Sequence, residues 1–169
     1  KTLGNDELDL VLTILNKIAK HLAHKRIENG ALEFKSSELK FIYEKELIVD
    51  VLLRKEDEAE NLIEQFMILA NENVALYLTN LEYPSVYRIH EKPDLDKIKD
   101  SVSKIAKLGF KIPAKDFTKP KNVQSLANLA KNTRYEQIIQ TYILRAMMKA
   151  KYVSYQERHF GLNSNCYTH

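Results

Sequence analysis

Few of the side chains able to do chemistry are spaced for it. His21 and His24 stand three residues apart, which on a helix brings both imidazoles to one face and within reach of a shared metal ion. Two exposed helix histidines are the plainer alternative. Cys166 is the single cysteine, so it cannot staple the chain, and no neighbour is placed to lower its pKa; it reads as an inert thiol. Glu64 and Asn71 are seven residues apart in an apolar stretch and share one helix face. If that helix is interior, both must find partners, because an unpaired buried carboxylate is costly. Arg88 and His90 lie in the alternating run Val86-Tyr87-Arg88-Ile89-His90, from which they could address phosphates; an ion pair of Arg88 with Glu91 or Asp94 is the alternative. Lys97, Lys99, Lys104, Lys107, Lys111, Lys115, Lys119 and Lys121 form one basic stretch, which is either solvated surface or a phosphate track with a steep salt dependence. There is no Gly-rich phosphate loop, no H-E-x-x-H, no C-x-x-C and no nucleophile elbow.

The elements that must position these groups are long and helical. The chain has 169 residues, enough for one buried core, and a single domain over 1–169 is expected. Apolar residues are 44% and charged residues 29%, which excludes a disordered or collagen-like chain. Gly 4 and Pro 4 are few, so turns are few. The net charge of +3 permits an anionic partner without demanding one. No apolar run approaches the roughly 20 residues of a membrane span, and one cysteine suits a reducing compartment, so a cytoplasmic protein without a membrane partner is expected.

Apolar residues at Val11, Leu12, Leu15, Ile18, Ala19 and Leu22 predict an amphipathic helix that stops at Asn29-Gly30. Ala31 to Lys35 alternates, with Leu32 and Phe34 on one side. Phe41–Tyr43 and Leu47–Leu53 predict a small antiparallel sheet. The stretch from Ala59 to Thr79 is apolar nearly all round and predicts a helix buried in the middle of the protein. A strand at 86–90, a helix from Asp94 to Leu108 closed by Gly109, a short helix near 123–130, a helix over 134–149 and a strand near 152–155 follow. The fold class is α+β, helix-rich with a small antiparallel sheet.

Five blocks carry a resemblance, in order along the chain. Arg26–Phe34 (R-I-E-N-G-A-L-E-F) resembles R-x-x-x-G-A-L-x-F, and Glu60–Glu72 (E-N-L-I-E-Q-F-M-I-L-A-N-E) resembles L-I-E-E-F-M-L-L-A-N-E. Tyr87–Asp94 resembles Y-R-x-H-E-x-P-D, Leu144–Tyr152 resembles L-R-x-M-x-x-A-x-Y, and His159–Leu162 with Tyr167–His169 resembles H-F-G-L…Y-T-H. These are motifs of the ribonuclease II/ribonuclease R family, and the chain is most similar to its ribonuclease R branch. The resemblance implies the C-terminal portion of an RNB-type catalytic domain, belonging to a processive 3′→5′ hydrolytic exoribonuclease that acts on single-stranded RNA and releases nucleoside 5′-monophosphates. It further implies Mg²⁺ held by aspartates upstream of the matched segment and an S-P-I-R-R-Y block downstream. The chain contains neither, so it is expected to be a piece of a longer protein, to bind no metal and to carry no catalytic residue of its own.

What the resemblance assigns to this chain is part of an RNA channel. Phe34 matches a phenylalanine that stacks at the end of a short run of bases; a core residue of an alternating strand is the alternative. Glu64 matches a glutamate that contacts RNA, where a carboxylate can accept from 2′-hydroxyls; a structural acid paired with Arg or Lys is the alternative. Asn71 is its companion or a packing amide. Gln65 stands where the family commonly has a second Glu. Arg88, His90, His159, Phe160 and Tyr167 complete the expected RNA-binding set. The alternative function is a non-catalytic RNA-binding or protein-interaction module on the same scaffold.

Overall fold

The computed structural model describes residues 4–34, 38–54 and 57–169. In chain order the elements are α1 (Asp6–Asn29), β1 (Glu38–Glu44), β2 (Leu47–Arg54), α2 (Glu58–Asn80), β3 (Tyr87–Ile89), α3 (Leu95–Lys107), α4 (Pro120–Asn128), α5 (Glu136–Ala146) and β4 (Lys151–Val153). The helix-rich α+β class holds. Its strands form two separate antiparallel pairs, β1 with β2 and β3 with β4.

Helix ends follow local chemistry. Asn5 caps α1 by accepting from the Leu8 amide, and Gly30 ends it in the left-handed region at φ 98°. Asp57 opens α2 with a reciprocal capping box to Glu60. Asp94 opens α3 by accepting from the amides of Asp96 and Lys97. Residues 31–34, expected to alternate, do place Leu32 and Phe34 together, but the segment has no strand partner; Lys35 lies outside the described residues. The β1–β2 hairpin turns at Lys45 and Glu46, both with positive φ, and a bulge lies at Ile42/Tyr43.

The main core lies among α3, α4 and α5, where Ile105, Val123, Leu126, Ile139, Ile143 and Phe160 are buried and Phe34 packs against their edge. A smaller cluster of Ala75, Tyr87, Ile89 and Cys166 sits under α2. Cys166 is buried there, its Sγ 3.3 Å from the Thr79 hydroxyl.

The expectation that α2 is interior fails. Its buried residues are Gln65, Ile68 and Ala75, whereas Ile63 and Tyr77 are 66% and 63% exposed. The physical reason is one-sided cover: α1 and the small cluster pack on α2, and its other face meets solvent. The exposed area of 11961 Å² exceeds the total expected of a compact 19.7 kDa protein, about 8,600 Å² by surface scaling. No helix among the described residues is long and apolar enough to cross a membrane.

Gly30 is required on two counts: its φ of 98°, and the Lys121 side chain that an added Cβ would meet. Gly30→Ala is expected to destabilise the fold by about 1–3 kcal/mol, read as a lower midpoint in urea with an unchanged slope. An unchanged midpoint would contradict this account of the α1 terminus.

Candidate nucleic-acid interface

The segment carrying Phe34 is held by groups distant in sequence. The Leu32 amide donates to the Gly161 carbonyl at 2.7 Å, and the Glu33 amide donates to Gln124 Oε1 at 2.8 Å. Gln124 is nearly buried at 9% exposure, and its Nε2 also donates to Asn128 Oδ1. These bonds replace the ladder that a strand would have supplied. The Phe34 ring, half-buried, therefore sits at the rim of the main core with one side open. Phe34 packs on the core, as the alternating-strand alternative expects, and its other side lines a cleft.

That cleft, about 170 Å³, is walled by Phe34, Leu32 and Leu162 on one side and by Asn61, Glu64 and Gln65 of α2 on the other. Glu64 is exposed, so the expectation of a buried acid is corrected: the helix face it occupies is open to the cleft. An aromatic ring and a carboxylate thus border one trough. A second cavity of about 1020 Å³ lies across Phe34, sharing Leu32, Phe34 and Leu162 as its dividing wall. His90 and His159 line this larger space.

The remaining expected residues are placed elsewhere. Asn71 donates from Nδ2 to the Tyr167 hydroxyl at 3.1 Å, so it braces the C-terminal segment and does not accompany Glu64. Tyr167 is 4% exposed and Phe160 3% exposed, both inside the fold. Arg88 forms neither expected ion pair: its guanidinium lies over the Tyr152 ring at 5.2 Å, Glu91 pairs with Lys151 at 2.8 Å, and Asp94 caps α3. His24 pairs with Glu28 at 3.2 Å. Among the described residues no three His, Cys, Asp or Glu side chains gather to hold a metal ion.

Residues 3–169 match the RNB domain. The chain belongs to the RNB-domain family. Ribonuclease R of Escherichia coli (strain K12) is 32% identical over 156 residues, covering 92% of this chain and 19% of that protein. Ribonuclease R of Aquifex aeolicus is 33% identical over 165 residues, covering 94% of this chain and 23% of its own length. RNase R of Mycoplasma genitalium, solved in complex with ribose methylated single-stranded RNA, aligns at a TM-score of 0.91 and 25% identity over 100% of this chain and 27% of that one. The RNB chain thus spans about a fifth of the length of these curated relatives.

Two arrangements fix the RNB cleft from behind. Arg26 of α1 donates from Nε to Gln65 Oε1 at 3.1 Å and from Nη1 to Glu72 Oε2 at 2.7 Å, clasping α1 to the helix that carries Glu64. Gln65 is 6% exposed, and its neutral amide suits the site, since Glu72 already balances the guanidinium. Sequence reasoning marks Gln65 only as a departure from the family's second Glu and misses Gln124; the amides within the α2 and α4 stretches are the available signal.

The second arrangement is a stack of rings. His90 and His159 meet edge to face at 5.3 Å, and His159 meets Tyr167 at the same distance. His90 Nδ1 accepts from the Gly161 amide at 3.3 Å, and His159 Nδ1 accepts from the Leu162 amide at 3.1 Å, so both rings must be unprotonated at Nδ1. A Cβ on Gly161 would lie 2.9 Å from His90 Nδ1, which explains a glycine there. Burial lowers the pKa of His90, with Arg88 adding to the shift and the Met148 backbone opposing it. Burial, then the charges of His90 and Arg88, push His159 down to about 4.

Both histidines are ordinarily near 6.5, so the unfolded chain takes up these protons first. Stability from the neutral pair is complete above about pH 6.5 and is lost as pH falls toward the folded value. Melting temperature should therefore fall across that window, and His159→Asn should show a shallower fall. Equal slopes in the two proteins would remove His159 from this account.

Proposed function

We propose that this chain forms part of the RNA channel of a 3′→5′ hydrolytic exoribonuclease of the ribonuclease R kind, one that shortens single-stranded RNA processively to nucleoside 5′-monophosphates. The observation that carries the reading is that Phe34 and Glu64 border one cleft. The similarity to an RNase R solved with single-stranded RNA supports it. In this role Phe34 offers a stacking face that accepts any base, and Glu64 accepts hydrogen bonds from ribose hydroxyls, which DNA lacks. The chain thus grips the strand and selects the sugar.

Mg²⁺ belongs to this reading as the agent of hydrolysis in the whole enzyme, activating water and stabilising the displaced oxygen. The described residues do not fit it, since no cluster of ligands is present among them. No hydrolytic step is therefore assigned to this chain's own side chains.

Three outcomes are expected. In fluorescence anisotropy with labelled oligonucleotides, Phe34→Ala weakens RNA and DNA alike by about 1–3 kcal/mol, roughly five- to 150-fold. Glu64→Ala instead narrows the preference for RNA over DNA. Unchanged binding by both variants would defeat the reading. The isolated chain supplied with Mg²⁺ is expected to release no mononucleotide, and rapid release would show that it holds a complete active centre.

A further inference from the structure

The lysines between α3 and α4 line neither the cleft nor the larger cavity. Residues 96–137 carry ten Lys and Arg against four Asp and Glu, a net charge of +6, while the remainder of the chain is net −3. The acids of this stretch are already engaged. Asp96 and Asp100 pair with Lys99 and Lys104 at 3.6 and 2.6 Å. The Asp116 carboxylate accepts from the Thr118 hydroxyl and amide, at 2.6 and 2.9 Å. Lys107, Lys111, Lys115 and Lys119 are exposed and form no salt bridge among the described residues. Lys115 Nζ donates to the neutral Ser125 hydroxyl at 3.4 Å.

The backbone keeps these four cations together. Lys107 ends α3, and the others follow at four-residue intervals along the connection to α4. Neighbours therefore lie within about 14 Å, the reach of four extended residues. Phe110, Ile112 and Phe117 of the same connection pack on the main core, and Asn122 Nδ2 donates to the Asp116 carbonyl at 2.7 Å. The segment is thus fixed to the body of the protein with its lysines in solvent. Thr118, then Lys119 and Lys92, hold the Asp116 carboxyl below its usual pKa, so Lys92 also reaches this face.

The character of the surrounding surface narrows the partner. Across 96–137 no large hydrophobic side chain is exposed, whereas α1, the β1–β2 hairpin and α2 expose many. Protein interfaces centre on apolar side chains and are depleted in lysine, and a bilayer surface is entered by apolar side chains. Phe110 and Phe117 are engaged by the core, which leaves no open ring for a base to stack on. Unpaired ammonium groups on a polar, fixed surface match closely spaced anions, as in the backbone of a polynucleotide.

We infer that this α3–α4 face binds the phosphate backbone of a nucleic acid outside the channel, through Lys107, Lys111, Lys115 and Lys119, reading neither base nor sugar. The assignment goes beyond the channel reading and does not rest on it. A duplex, too wide for a cleft of about 170 Å³, can lie across the face.

Duplex is therefore the probe. Binding of blunt duplex RNA and duplex DNA of equal length is followed by fluorescence anisotropy against salt. Four neutralised phosphates give a slope of log affinity on log salt of about −3.6, a loss of roughly 150-fold between 50 and 200 mM. Lys107→Glu/Lys111→Glu/Lys115→Glu/Lys119→Glu should flatten that slope by about 3.6. Changing the same four lysines to Gln should flatten it equally without adding repulsion, and it preserves the test if the first variant does not fold. Phe34→Ala should leave duplex binding unaltered. An unchanged slope in the Gln variant, a marked preference for duplex RNA over duplex DNA, or tighter binding to phosphatidylserine vesicles than to either duplex would overturn the assignment. Should single-strand binding ignore Phe34 and Glu64 while the duplex slope still flattens, the channel reading fails and this face stands. The reverse pattern sinks the face alone.

Discussion

Residues 31–34 have no strand partner among the described residues, and the amides of 31–33 are met by other groups. The Arg26 carbonyl accepts from Ala31 at 3.0 Å, the Gly161 carbonyl from Leu32 at 2.7 Å and the Gln124 side chain from Glu33 at 2.8 Å. A buried amide left unmade costs about 1–3 kcal/mol, more than a typical formed bond contributes, so the segment has little freedom to move off these partners. The position of Phe34, and with it the division of the surface into a small cleft and a large cavity, follows from that constraint. Asn163 tightens the same corner, donating to the Asn29 carbonyl at 2.6 Å at the end of α1.

The other wall of the cleft is set by a different force. The Arg26 guanidinium lies between α1 and α2, its side chain 13% exposed and that of Glu72 26% exposed. A charge this sheltered is stabilised only while both its partners stay in place. The clasp thus fixes the helix rotation that turns Glu64 toward Phe34. Apolar packing alone would not do so, because α2 presents hydrophobic side chains on nearly every side. A polar contact decides which face of α2 borders the cleft.

Much of this was legible in the residues. The caps at Gly30, Asp57 and Asp94 are local chemistry, and the helices they bound lie where the spacing predicts. The alternation of Leu32 and Phe34 was also readable, although the absence of a strand partner was not, since that depends on Gln124 some ninety positions away. The burial of α2 was misjudged for a related reason: hydrophobic periodicity reports what a helix could bury, not what the chain supplies to cover it. The meeting of His90, His159 and Tyr167 rests on contacts between segments far apart in sequence. Resemblance placed these residues in one set with Phe34 and Glu64, while their geometry separates a cleft wall from a stack of rings. Arg88 shows the limit of charge matching: a neighbouring aromatic ring competed successfully with two nearby carboxylates.

Because one aromatic ring is the common wall of two spaces, the room in one depends on the room in the other. Any guest that presses Phe34 toward the far side shrinks the room there, and one that pulls it closer enlarges it. Thermodynamic reciprocity then requires each guest to alter the other's affinity by the same factor. How far the ring can yield to either side is set by the backbone anchors at Leu32 and Glu33.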